Sequence, residues 1–412
     1  MPNTQTRPLK QTIAAKTIPG FAVQRILALL RSIKIGHLEL EVYGEQWSFS
    51  GEKMPDLSVV VRLKHPARLL SRLAKLGDIG FAEGYIQGDF ETDDLAKLIE
   101  IGARNFDALS QDLRPGFWAR LANRIQHALR VNYRRNSKRN IASHYDLGND
   151  FYRLWLDESM TYSSAINITE HGTLAQAQQA KYQRLLDQLN AAPGDQILEI
   201  GCGWGGFAEV AAARGIHTTG ITLSQEQLNF ARQRAQRGGF AAQARFELTD
   251  YRDQTGTFDH IVSIEMFEAV GMRYWPQYFR TLSQRLKPGG RAALQIITID
   301  ESVFELYRHE PDFIQLYIFP GGMLPTKTHL NQLAQEQGLS IHDQHSFGQD
   351  YAETLNRWGQ QFDQKTAELK SMGFDENFQR TWRYYLAYCA GGFRAGRIDV
   401  VQLVLEKPAV QS

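Results

Sequence analysis

The chain has 412 residues, a formal net charge of +1 and 43% hydrophobic residues. That length holds two or three domains with ample core, and the balanced charge gives no drive toward nucleic acid. The two cysteines, Cys202 and Cys389, exclude a disulfide framework and suit a reducing cytoplasm, and no Cys/His spacing suggests a metal site.

Residues 1–20, MPNTQTRPLKQTIAAKTIPG, lack the apolar core of a signal peptide. Residues 21–33, FAVQRILALLRSI, put Phe21, Val23, Ile26, Leu27, Leu30 and Ile33 on a helical pattern broken by Arg25 and Arg31. The segment is shorter than the roughly 20 apolar residues a bilayer span needs. It reads as an amphipathic helix packed on its own domain, with an interfacial membrane helix as the sharper alternative. Strand patterns follow in HLELEVYG, QWSFSG and LSVVVRL, then helical ones in HPARLLSRLAKLG and DDLAKLIEIGARN. A stretch rich in Gly and aromatics, IGFAEGYIQGDFETDD, separates the two helices. Residues 1–122 are therefore predicted to form a small α+β domain, without a catalytic constellation. A basic linker, 123–141, comes next, with Arg130, Arg134, Arg135, Lys138 and Arg139 in RVNYRRNSKRN. It suits a solvated linker as well as it suits anionic phospholipid headgroups, where each basic residue is worth about 1 kcal/mol.

The segment after the linker, NIASHYDLGNDFYRLWLDESMTYSSA, is dense in aromatics: Tyr145, Phe151, Tyr152, Trp155 and Tyr162. ILEIGCGWGGFAE, 197–209, then runs a strand into a knot of glycines. Gly201, Gly203 and Gly206 spell the dinucleotide fingerprint, which is a weak signal alone. The acid expected about 20 residues later to hold a ribose is missing, because HTTGITLS ends in Thr222 and Ser224. Glu199 stands just before the glycines, where a carboxylate suits a sulfonium or an amino-acid amine better than a pyrophosphate. Further strands are predicted in FAAQARFELTD, in FDHIVSIEMFEAVG, after the turn Pro288-Gly289-Gly290, and in RIDVVQLVLEKP. Helical patterns such as SQEQLNFARQRAQRGG fall between them, which predicts a mostly parallel, doubly wound α/β sheet with ligands at the carboxyl ends of its strands.

Taken in order, SHYDLGNDFYRLWL, MTYSSA, LEIGCGWGG, GITLSQEQ, EMFEAVG, YIFPGGMLP and YYLAYCAGGFRAG resemble the cyclopropane fatty acid synthase family, including the mycolic acid cyclopropane synthases. The resemblance runs along essentially the whole chain. It implies a Rossmann-like class I methyltransferase domain over 142–412, dependent on S-adenosylmethionine (SAM), and a lipid-associated N-terminal domain. It further implies unsaturated phospholipid acyl chains as substrate, a cytoplasmic enzyme on the anionic inner face of the plasma membrane, and a homodimer. For SAM, Glu199 and the run Gly201-Gly203-Gly205 match the family's first motif. Tyr162 and Ser163 match its pair near the methionine part, and Thr222 and Gln227 its residues near the ribose and adenosine. Tyr251 lies near the expected adenine pocket, and YIFPGGMLPT, 317–326, is implied to line the acyl channel.

An isolated alkene that attacks a sulfonium methyl leaves a carbocation in the chain, which aromatic faces stabilise by about 0.5–2 kcal/mol each. A base must then take a proton. Loss from the new methyl group closes a cyclopropane, the expected product; loss from a neighbouring carbon is expected to give a methylene- or methyl-branched chain. The resemblance implies a bound bicarbonate as base, held by Glu268, Tyr351, the backbone of Ile297 and residues 164 and 295. Here the sequence departs from the family: Ser164 stands where Cys is usual, and Ala269 and Gln295 where His is usual. A backbone contact at Ser164 survives its change, but Gln295 in place of a cationic ring is expected to weaken anion holding by about tenfold. Two rival readings are an N-methyltransferase of small amines and a noncatalytic lipid-binding protein with a relict SAM pocket. The N-terminal domain and basic linker oppose the first; the glycine loop, Tyr162-Ser163 and Glu268 oppose the second.

Overall fold

The structure is a computed structural model that describes residues 20–113 and 147–409. The basic linker, Tyr145 and both ends of the predicted N-terminal domain lie outside the described residues.

In the N-terminal domain, β1 (Ile35–Val42), β2 (Glu45–Ser50), β3 (Lys53–Leu63) and the short β4 (Phe90–Thr92) form one sheet in the order β2-β1-β3-β4. Alternation in HLELEV turns Leu38, Leu40 and Val42 inward. The first helix, Phe21–Leu30, buries Val23, Ile26 and Leu27 and packs against the helix Pro66–Leu76. Its first residue, Phe21, remains 74% exposed. The Gly- and aromatic-rich stretch resolves into a helix, Asp78–Ile86, followed by β4.

The second sheet has seven strands: β5 (Gln196–Ile200), β6 (His217–Thr222), β7 (Ala244–Leu248), β8 (Phe258–Ile264), β9 (Leu286–Ile299), β10 (Ser340–Ser346) and β11 (Ile398–Glu406). Their order is β10-β11-β9-β8-β5-β6-β7. Pairings from β9 through β8, β5 and β6 to β7 are parallel, and β11 alone runs against its neighbours. This is the doubly wound α/β sheet that the sequence predicts. Pro288-Gly289-Gly290 lies inside β9, where the register jumps from Phe258 opposite Leu286 to His260 opposite Arg291.

The two domains meet along the C-terminal helix Glu376–Arg394. A Cβ on Gly391 would come within 2.7 Å of Ile99 and 2.9 Å of the Ala96 carbonyl, so glycine permits the crossing with the helix Leu95–Arg104. Arg380 donates to the Tyr85 carbonyl at 2.5 and 2.8 Å and to Glu91 at 3.2 Å, with its guanidinium 4.3 Å from the Tyr85 ring centre. The aromatic stretch before the glycine loop is mainly core. Phe151, Tyr152 and Trp155 are buried against Trp358, Phe362 and Trp382, and only Tyr162 of that group reaches the cavity described next.

Candidate active site

A cavity of about 1060 Å³ lies at the carboxyl ends of β5, β6, β8 and β9. It continues into the N-terminal domain, where Leu38, Leu40, Val61 and Phe90 line it. Its volume lies at the upper end of the range for ligand pockets, and its lining runs from the glycine loop to the N-terminal sheet. The expected channel segment contributes Phe319, Pro320, Gly322, Met323 and Leu324.

One end of the cavity suits SAM. Tyr162, Ser163, Glu199, Gly201 and Gly203 line it, as do Thr222, Gln227 and Tyr251 further along. Gly203 has φ +50°, and a Cβ there would meet nothing within 4 Å, so the loop leaves open space where a ligand can lie against backbone. Glu199, the last but one residue of β5, has its Oε2 buried and without a hydrogen-bond partner. Burial pushes its carboxyl well above the ordinary range, against the pull of Arg234. A cationic ligand group would satisfy that orphaned oxygen, so the residues present fit the amine or sulfonium of SAM. Thr222 donates to Gln227 Oε1 at 3.0 Å, which fixes the pair to each other. Gly205, expected with them, is not among the residues that line the cavity. It faces away from the cavity, where a Cβ would press on Ala231 and Phe246 at 3.2 Å, so it serves packing of the loop on the helix Gln225–Arg237.

The other end holds a pair of buried carboxyl groups, one of which the sequence reading missed. β8 stops at Ile264, and Glu265 takes φ +49°, a left-handed backbone unusual for a non-glycine residue. Its Oε1 accepts from the Ser164 N–H at 2.8 Å and from Gln295 Nε2 at 2.7 Å; its Oε2 accepts from the Tyr351 hydroxyl at 2.5 Å. Gln402 donates to Gln295 Oε1 at 3.1 Å, which orients the Gln295 amide with its N–H₂ toward Glu265. Glu268 accepts from the Ile297 N–H at 2.5 Å, and its Oε2 is buried without a partner.

This changes the role expected for three residues. Ser164, Gln295 and Tyr351 were expected to hold bicarbonate, but the carboxylate of Glu265 already takes their donors. Ser164 and Gln295 are fully buried behind Glu265 and do not line the cavity, whereas Glu265, Glu268, Ile297 and Tyr351 do. Burial, and then the charge of Glu265, push Glu268 up to about 8. Burial also raises Glu265, but Lys181, Tyr351, the Ser164 N–H and Gln295 all pull it back. Of the two, the donors favour Glu265 as the carboxyl that carries negative charge and leave Glu268 as the one that keeps its proton. Tyr351 is pushed well above its ordinary value by burial and by Glu265, so it stays a donor.

Two signals in the sequence pointed to what was missed. Glu265 directly follows the apolar run of β8, three residues before the acid that matched a motif. Lys181 occupies the apolar stripe Ala177, Leu185 and Leu189 of the helix Leu174–Leu189, where a charge is out of place unless it is used.

A family model described as mycolic acid cyclopropane synthetase matches residues 132–403. The chain belongs to this family. It is 42% identical over 352 residues to the tuberculostearic acid methyltransferase of Mycobacterium tuberculosis, covering 83% of this chain and 82% of that one. It is 34% identical over 358 residues to the cyclopropane-fatty-acyl-phospholipid synthase of Escherichia coli K12, covering 84% and 87%. Among solved structures, the mycolic acid cyclopropane synthase CmaA1, complexed with S-adenosylhomocysteine (SAH) and CTAB, superposes with a TM-score of 0.62 at 31% identity. That match covers 66% of this chain and 98% of CmaA1. The chain is thus a SAM-dependent lipid methyltransferase of the cyclopropane synthase type, with SAM as methyl donor. No helix among the described residues is long and apolar enough to cross a membrane.

Proposed function

We propose that the enzyme adds the methyl carbon of SAM to the double bond of an unsaturated acyl chain carried by a membrane phospholipid and closes a cyclopropane, with Glu265 as the proton acceptor. The observation that carries this reading is one cavity in which a SAM-sized pocket and a long apolar channel meet at a buried, donor-loaded carboxylate. Glu199, Tyr162, Ser163, Thr222 and Gln227 hold SAM, which supplies an electrophilic methyl group to the alkene and departs as SAH. The acyl chain is left with a carbocation beside the new methyl. Tyr162, Tyr351 and Phe393, all on the cavity wall, offer ring faces or dipoles to that charge. Glu265 then takes a proton from the new methyl carbon, and the freed C–H electron pair forms the third ring bond. Glu268 stays protonated beside it and adds no second charge, while Ile297 fixes it through its backbone N–H.

A second reading ends in a branched chain, and the 42% identity to a tuberculostearic acid methyltransferase favours it. The atom balance refines the earlier expectation here. An exocyclic methylene forms only if a hydride first migrates onto the cationic carbon, after which the same methyl proton leaves. Loss from a neighbouring chain carbon gives a methyl-bearing alkene instead. A fixed carboxylate at the junction favours prompt proton loss over migration, which supports the ring.

The N-terminal domain, whose interior is continuous with the site, serves as the lipid-associated part, and the enzyme works in the cytoplasm, peripheral to the anionic inner face of the membrane, as a homodimer. The test is methyl-labelled SAM with vesicles of mono-unsaturated anionic phospholipid, read by proton NMR of the product chains. High-field cyclopropane signals support the proposal; vinylidene signals select the branched reading. No labelled lipid despite SAM binding would overturn both.

A further inference from the structure

We propose that Lys181 is a positioning residue for both halves of the site: its ammonium orients the Ser163 hydroxyl toward SAM and holds the negative charge on Glu265. The second half rests on the reading of Glu265 as base. Lys181 is 0% exposed in the middle of the helix Leu174–Leu189. A buried ammonium costs several kcal/mol that an apolar residue would avoid, so this position calls for a reason. Its surroundings supply one.

Lys181 Nζ donates to Ser163 Oγ. One turn earlier on the same helix face, Gln178 Nε2 donates to the Ser163 carbonyl at 2.8 Å. The helix therefore grips Ser163 by its side chain and its backbone. The next peptide N–H, that of Ser164, donates to Glu265 Oε1 at 2.8 Å. Lysine, serine, peptide and carboxylate form one connected path between the SAM pocket and the base.

The chemistry of each donor then fixes what the path does. An ammonium only donates, so Ser163 Oγ must accept, and its own proton is free to point elsewhere. Ser163 lines the cavity, so that proton becomes a donor for an anionic ligand group such as the SAM carboxylate. The charged groups facing Lys181 are Glu265, from the end of β8, and Asp157, from the turn before Met160; the Tyr182 ring centre lies 4.8 Å away. Neither carboxylate is in a direct ion pair with it, so the charge acts on Glu265 through space. Of the groups that favour an ionised Glu265, Lys181 contributes most. Burial pushes Lys181 itself down to about 7, so the cation is present at and below neutrality, where Glu265 needs it.

Two variants of the full-length chain separate the roles. Lys181→Gln keeps a donor for Ser163 and removes the charge. It should leave the KM for SAM near wild type and move the acid limb of the kcat–pH profile up by about one unit. Ser163→Ala should raise the KM for SAM about tenfold and leave the limb in place. A folded Lys181→Gln enzyme with an unmoved limb overturns the charge role, and an unmoved KM in Ser163→Ala overturns the hydroxyl role. Should Lys181→Gln fail to fold, wild-type enzyme with carbon-13-labelled lysine gives the same decision. One buried lysine resonance should shift when SAH is added and titrate near neutrality, and a silent resonance refutes the proposal. Failure of the base itself reads differently: Glu265→Gln would then keep its turnover, whatever Lys181 does.

Discussion

Glu265→Gln is the sharpest perturbation of the proposed chemistry. The substitution keeps shape and volume. With the amide oxygen in the place of Oε1, the bonds from Ser164 N–H and Gln295 Nε2 survive, and only the Tyr351 hydroxyl must turn from donor to acceptor. The fold and the SAM pocket should therefore persist, and SAH binding by calorimetry should change little. The proton acceptor, however, is gone. General base catalysis is typically worth about 10²–10⁴ in rate, or roughly 3–5 kcal/mol of barrier. Labelled-methyl incorporation into vesicle lipid should fall by that factor at unchanged SAH affinity. A Glu265→Gln enzyme that turns over at more than a tenth of the wild-type rate would refute the assignment. The smaller Glu265→Ala adds a second reading. It empties the space while leaving the three donors, so bicarbonate in the buffer should restore part of the activity with saturable dependence.

Three further outcomes follow from the geometry. Glu199→Gln removes the charge whose buried Oε2 awaits a cation, and should weaken SAH binding by about 1.5–3 kcal/mol, or roughly ten- to a hundredfold, in calorimetry. Glu268 holds its proton in the folded chain up to about 8, against an ordinary 4.5 in the unfolded chain. Its folded pKa is raised, so its contribution to stability is full below 4.5 and is lost as pH rises toward 8. Glu268→Gln should therefore melt higher than wild type at pH 8 and gain less at pH 5, as read by thermal unfolding at both. Arg380→Ala removes three charge-assisted bonds between the domains and should lower stability by about 2–3 kcal/mol, with the loss visible in denaturant midpoints.

Much of the fold was legible because the strands that matter are buried and apolar. ILEI, FDHIVSI and RAALQIITI announce β5, β8 and β9 without help from any relative. β10 was missed for the converse reason: SIHDQHS is an edge strand with mostly exposed side chains, so neither hydrophobic alternation nor an apolar run marks it. Most residues expected around SAM do line one cavity, since glycines and a carboxylate near a strand end are placed by local chain geometry. The proton-accepting side was not legible in that way. Ser164, Glu265, Gln295 and Tyr351 come from four separate places in the chain, and only β8 and β9 lying side by side, with Gln295 accepting the Glu265 N–H at 2.8 Å, bring two of them together. The aromatic density at 151–162 was ambiguous in the sequence, because packing and cation stabilisation both favour rings. It resembles a cation-stabilising wall but is mostly core, a distinction that depends on which way each ring faces.

A base that is part of the chain differs measurably from one drawn from solution. A bicarbonate base must be drawn from solution, and at roughly millimolar levels that costs about 4 kcal/mol relative to a 1 M reference. A backbone-borne carboxylate avoids this but must be aimed, and Glu265 is aimed by a left-handed backbone at φ +49°. Such a conformation costs about 1–2 kcal/mol for a residue with a Cβ. The strain is thus smaller than the concentration term it replaces, and two bonds with Gln295, one donated by its side-chain amide and one accepted by its backbone carbonyl, hold the residue in place against it. It follows that the wild-type enzyme should run at full rate in buffer freed of carbon dioxide. The measurement is methyl incorporation in degassed, bicarbonate-free buffer against the same buffer with bicarbonate restored. Equal rates fit a carboxylate that is always in place. A clear rise on adding bicarbonate would mean that Glu265 moves aside for an external anion, and its role would then be to guard the site rather than to take the proton.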